Sequence, residues 1–188
     1  MTVAANDSSV WRAFENAELT HSSAHYLMAV MHVRKRQGYA RATDVAEYLG
    51  VTRGAASKAM QLLKERGWII EDVHRMLDLS EEGSRLARMV ERNFLVIECF
   101  LEDILGVPSK AAREDACKME HLLSPCTMRA LLKLVQFLAQ DEQHLRQLKE
   151  ELATFRPQCD PADPCLPCVR YDGCIGAETE AFLETLKE

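Results

Sequence analysis

Cys117, Glu120 and His121 stand at i, i+3 and i+4 in the run Glu114-Asp115-Ala116-Cys117-Lys118-Met119-Glu120-His121. On a helix that spacing brings a thiolate, a carboxylate and an imidazole to one face. Such donors suit a transition metal. The same spacing also fits a small core cysteine beside a solvated edge, because structural and functional clusters look alike at this level.

Two further sets of donors bear on the question. His21, His25, Met28 and His32 fall at i, i+4, i+7 and i+11, which makes one stripe on an amphipathic helix over 19–36. That stripe reads either as packing or as a source of ligands. Nearer the end, Cys159, Cys165, Cys168 and Cys174 form Cys-x5-Cys-x2-Cys-x5-Cys within Arg156–Gly176, which also holds four prolines and two glycines. Four thiolates in so short a loop can encircle one metal centre. Only one Cys-x2-Cys knuckle is present, where structural zinc usually shows two. The pattern favours a 4Fe–4S cluster, with zinc and redox thiols as the other readings.

These donors need elements to hold them. A helix is expected over Val10–Ala17, then the long one just described, which Gly38 stops. Thr43–Leu49, the turn at Gly50-Val51 and Thr52–Arg66 read as a helix-turn-helix, with Thr52 as N-cap. Val45, Ala46, Leu49, Val51, Ala56, Met60 and Leu63 fit its inner face; Arg53, Ser57, Lys58, Gln61 and Lys64 are left outward. Gly54 and Ala55 are small enough for close approach to a DNA groove. Trp68–Glu71 and Met76–Leu79 flank Asp72–Arg75 as a two-stranded wing. Ser80 caps a helix running to about Leu105, Pro108–Leu123 carries the opening motif, and Ser124-Pro125 starts another helix to Gln140. Asp141–Thr154 reads as a charged helix and Ala177–Lys187 as a short last one.

Composition bounds the function. The 188 residues are 47% hydrophobic and 28% charged, ordinary for a globular protein. No apolar run nears the roughly 18 residues of a membrane span. The first residues lack a basic and apolar leader, so a cytoplasmic location is expected, with reduced or metal-bound cysteines. Net charge is −6, yet 34–75 holds nine Lys/Arg against five Asp/Glu, a local +4 that leaves −10 for the rest. A basic segment in an acidic chain is where a phosphate backbone would dock.

From about Thr20 to Gln140 the chain resembles the diphtheria toxin repressor and manganese transport regulator family of metal-dependent repressors. The residues that carry this are GYARATDVAEYLGVTRGAASKAMQLLKERGWI and EDACKMEHLLS. In the iron-type members, a cysteine, glutamate and histidine bind the activating metal with a residue of the first helix. The resemblance therefore implies Cys117, Glu120 and His121, with His25 at the first-helix position. Met28 stands where manganese-type members have a glutamate, which disfavours a hard, oxygen-rich site. Of the family's second metal site Glu98 is retained, while Phe94 and Arg113 hold its two histidine positions, so a Glu98–Arg113 ion pair is expected there. The family's usual small β-barrel extension is not legible in Arg156–Gly176.

The expected fold is mainly α. It comprises a winged helix-turn-helix DNA-binding domain (1–79), a helical dimerisation and metal-binding domain (80–154), and a cysteine-rich cofactor loop with a terminal helix (155–188). The expected function is a homodimeric transcriptional regulator, a repressor, that binds operator DNA through Thr52, Arg53, Gly54, Ala55, Ser57, Lys58 and Arg75. It would respond to iron, iron–sulfur or redox status through a 4Fe–4S cluster on the four C-terminal cysteines. The alternative is a repressor responsive to Fe2+, Mn2+ or Zn2+ through His25, Cys117, Glu120 and His121, with structural zinc in the cysteine loop. A redox enzyme or electron carrier is a third reading, but no nucleotide-binding loop, catalytic triad or flavin fingerprint accompanies it.

Overall fold

Thr20 caps the first described helix, α1, His21–Gln37: its hydroxyl accepts a hydrogen bond from Ser23 N at 3.2 Å. The computed structural model describes residues 19–155 and Cys168. The helices expected at Val10–Ala17 and Ala177–Lys187, with Cys159, Cys165 and Cys174, lie outside the described residues. Asn16–Lys149 forms one compact unit, and the site described below lies wholly within it.

Helix α1 ends at Gly38, whose φ of 85° is the left-handed conformation that glycine adopts without strain. Helix α2 spans Ala42–Leu49 and α3 Arg53–Glu65, with Gly50 (φ 67°) between them and Thr52 capping α3 by accepting from Ala55 N at 3.2 Å. Strands β1, Ile69–Glu71, and β2, Leu77–Leu79, pair antiparallel with Ile69 opposite Leu79 and Glu71 opposite Leu77. At the tip, Asp72 Oδ1 accepts from His74 N and Met76 N, both at 2.8 Å, and Arg75 adopts φ 60°. A hairpin this short needs support. It gets it from Arg34 of α1, which donates to Leu77 O at 3.0 Å and pairs with Asp78 at 3.1 Å, and from a Lys64–Glu71 ion pair. These elements close over a first core of Leu27, Val30, Val45, Met60, Leu63, Trp68 and Leu77.

Ser80 caps α4, Glu81–Cys99, accepting from Gly83 N at 3.0 Å, with Glu81 and Glu82 on the positive end of the dipole. The helix does not run regularly to Leu105 as its apolar pattern implies: Phe100–Ile104 widens into a π-helical turn before Gly106. Helix α5 spans Ser109–Met119, α6 Pro125–Ala139 behind its Ser124 cap, and α7 Glu142–Thr154. Val96, Ile97, Ile104, Ala116, Met128 and Val135 form a second core. Helix α4 serves both cores, Ala87 near its start and Val96 and Ile97 near its end. The architecture is thus mainly α, a winged helix-turn-helix followed by a helical domain. Among the described residues no helix is long and apolar enough to cross a membrane.

Candidate metal centre

The first turns of α1 and the C-terminal end of α5 meet. His21 and His25 lie one turn apart on α1, and Cys117 and Glu120 stand three apart at the end of α5. One ligand atom from each of these four residues lies within 4.8 Å of all the others. His25 Nε2 is 3.1 Å from Cys117 Sγ and 4.0 Å from Glu120 Oε1.

Glu120 decides how the cluster is read. It is 0% exposed, and neither carboxylate oxygen has a hydrogen-bond partner among the described residues. A buried carboxylate without a partner costs several kcal/mol if ionised, so such groups are paired or coordinate a metal. Burial pushes its carboxyl up to about 7. Burial likewise raises the Cys117 thiol, assisted by Glu120. His25 is lowered by burial and then by its neighbour His21, and His121 by burial, His21 and His25. Burial thus disfavours the charged forms of Glu120, Cys117, His25 and His121, and a divalent cation would supply the charge that lets the thiol and carboxyl ionise. Two imidazoles, a thiolate and a carboxylate fit such an ion.

His121 sits differently from the other expected ligands. Helix α5 stops at Met119, short of the Leu123 its pattern implies; Glu120 keeps helical angles as the C-cap, and His121 follows in the turn. Its ring packs against that of His21, centroids 5.0 Å apart, and its buried Nδ1 has no partner among the described residues. The four-atom cluster thus contains His21 in the place expected for His121. The sequence already put His21 on the histidine stripe, but spacing along one helix could not say which histidine faces α5. Behind the ligands, buried Asn93 of α4 donates from Nδ2 to Glu120 O at 2.8 Å and holds the turn. A cavity of about 570 Å³ opens beside the site, lined by Met28, His32, Tyr48, Phe94 and Arg113 among others.

Residues 80–149 match the iron dependent repressor, metal binding and dimerisation domain, and residues 18–75 match the MarR family. The HTH-type transcriptional regulator MntR of Bacillus velezensis is 29% identical over 130 residues, 69% of this chain and 91% of that protein. That of Listeria welshimeri is 28% identical over 139 residues, covering 74% and 96%. Among solved structures, the manganese regulator SloR superposes with a TM-score of 0.56 at 23% identity, and the metal-dependent transcriptional regulator MtsR with 0.57 at 25%. Each covers 61% of this chain, which spans about half (54%) of either solved chain. Over residues 18–149 the chain resembles the diphtheria toxin repressor and manganese transport regulator family of metal-dependent regulators.

Within this family frame the neighbouring positions differ as the sequence implies. Arg113 Nη1 lies 3.7 Å from Glu98 Oε1, and its guanidinium lies 5.7 Å from the centre of the Phe94 ring. A cation and an aromatic ring thus stand beside Glu98, at the two positions where the resemblance leads one to expect histidines. Cys168 is buried in a helical position, its three companions lie outside the described residues, and the matched metal-binding domain ends at residue 149, before them.

The face expected to read DNA lies around the start of α3 and the wing tip. Thr52, Arg53, Gly54, Ala55, Ser57 and Lys58 are all exposed around the start of α3, and Arg75 is exposed at the wing tip. Lys64, expected outward with them, is instead half-buried against Glu71. Val51, expected inside, is exposed, because the left-handed turn at Gly50 carries it off the inner face.

Proposed function

We propose that this protein is a divalent-metal-responsive transcriptional repressor that binds operator DNA as a homodimer. The observation that carries the reading is the convergence of histidines from α1 with Cys117 and Glu120 from α5 around an orphaned buried carboxylate. Helix α1 is packed into the winged helix-turn-helix, whereas α5 belongs to the helical domain. A cation held between them would crosslink the two helices by coordination and supply the positive charge that lets Cys117 and Glu120 ionise. The residues do the rest: His25, Cys117 and Glu120 tie α1 to α5, Asn93 steadies the Glu120 turn, and Arg34 passes the position of α1 to the wing. Cation binding thereby favours the arrangement in which two copies of α3 fit successive major grooves. Thr52, Arg53, Ser57 and Lys58 would contact the groove and phosphates, and Arg75 the flanking backbone.

This reading takes the alternative expectation over the iron–sulfur one. Four mutually close donor atoms on one chain support a site that responds without the cysteine loop. The experiment selects duplexes from a random library with metal-loaded protein, then measures affinity for the winner with and without chelator. Chelation, or Cys117→Ser, should lower affinity at least about 10-fold. Metal-independent selection and affinity would overturn the proposal. Iron, sulfide and zinc per anaerobically purified chain complete the test, since about four irons and four sulfides would return sensing to the cysteine loop.

A further inference from the structure

We infer that His21 is itself a ligand, so that α1 grips the metal through a His21/His25 pair and the centre selects borderline ions such as Co2+, Zn2+ and Fe2+ over Mn2+. The inference deepens the metal-responsive reading above and rests on it. Its ground is that the four mutually close donor atoms come from His21, His25, Cys117 and Glu120. The two imidazole rings of α1 stand edge to face, centroids 4.4 Å apart, with His21 exposed and His25 half-buried. Histidines at i and i+4 of a helix can chelate one ion from one face.

Two consequences follow from chemistry. A donor set of two nitrogens, one sulfur and one carboxylate is softer than the oxygen-rich sets that suit Mn2+. Each imidazole added raises affinity for Co2+ and Zn2+ more than for Mn2+. Mechanically, one ligand on α1 would leave the helix free to turn about that bond, whereas two ligands one turn apart fix its rotation as well as its distance from α5. The recognition helix then inherits a defined orientation. His121 packs against His21 and lies outside the four-atom cluster.

The test uses the full chain, stripped of metal under anaerobic conditions and titrated with Co2+ in the visible and near ultraviolet. The parent should show a thiolate-to-cobalt charge-transfer band together with d–d bands. His21→Ala and the size-matched His21→Gln should both keep the charge-transfer band, alter the d–d bands and weaken Co2+ and Zn2+ binding about 10-fold or more. Their Mn2+ affinity should change much less, so the Co2+/Mn2+ ratio narrows. Thermal melts of the metal-free variants should match the parent, as His21 is exposed. Parent-like spectra and affinities in both His21 variants would overturn the inference, as would d–d bands that respond to His121→Ala instead. Failure of the broader reading looks different: Cys117→Ser would then keep parental affinity and the near-ultraviolet band.

Discussion

Glu120 is where a single residue carries opposing demands. Fully buried with unpartnered oxygens, its carboxyl is pushed up to about 7 from an ordinary 4.5. An acid raised in the folded state binds its proton more tightly folded than unfolded. Its favourable contribution is present at low pH and is lost as pH rises from about 4.5 to about 7. Metal-free Glu120→Gln should therefore be more stable than the parent at pH 8, by roughly 2 kcal/mol, with the gap closing below pH 5. His25 and His121 oppose this trend: both are lowered, so the stability they give is lost as pH falls below their ordinary value of 6.5. Urea denaturation in chelator at several pH values separates the two trends. With Zn2+ present the order at pH 8 should reverse, because glutamine cannot offer the metal a negative charge. An equal destabilisation at every pH would show that Glu120 acts through packing alone.

At the scale of elements, two contacts have measurable consequences. The first turn of α4 lies directly on the chain leading into β1. A Cβ on Gly83 would fall 1.9 Å from Trp68 O, a backbone atom that already accepts from Ser80 N at 3.0 Å. Gly83→Ala should force helix and strand apart and cost about 3 kcal/mol, read as a lower melting temperature. An unchanged melt would mean that α4 can shift freely against the wing. Helix α3 presents the second contact. Arg53 and Lys58 are exposed and make no ion pair among the described residues, so both are free to meet phosphates. Alanine at either should weaken operator binding and make the log–log salt dependence shallower by about one. Filter binding across salt concentrations would show this; unchanged slopes in both variants would exclude α3 as the docking helix.

For the whole molecule, the open question is what covers the apolar surface of the helical half. Leu134 and Phe137 on α6 are 44% and 67% exposed, and Leu122 in the preceding turn is 48% exposed. A second copy of the chain would bury them, which fits the dimerisation domain matched over 80–149. Phe137→Asp should give a monomer in sedimentation velocity and lose operator affinity. It should still bind metal with parental affinity, since all four clustered donors come from one chain. A Phe137→Asp dimer of parental stability would place the interface elsewhere.

The sequence by itself determined the local order of this protein. Thr52, Ser80 and Ser124 each cap a helix at the position their side chains imply, Gly38 and Gly50 end helices, and the short wing forms where it is expected; Thr20 caps α1 inside the start expected for that helix. Such features depend on a few neighbouring residues, so they are legible in one dimension. The Cys117/Glu120 pair and the Glu98–Arg113 contact were readable for a like reason, the first from helical spacing and the second from a family pattern laid over it. Only the tertiary structure decided which histidine joins them. His21 and His121 are 100 residues apart in the chain, and their order around the site depends on where α5 ends and how α1 crosses it. The end at Met119, the π-helical turn after Cys99 and the burial of Glu120 all arise from packing between elements distant in sequence. That packing, rather than any local motif, turns a carboxylate on a helix into an unpaired group that a cation can satisfy.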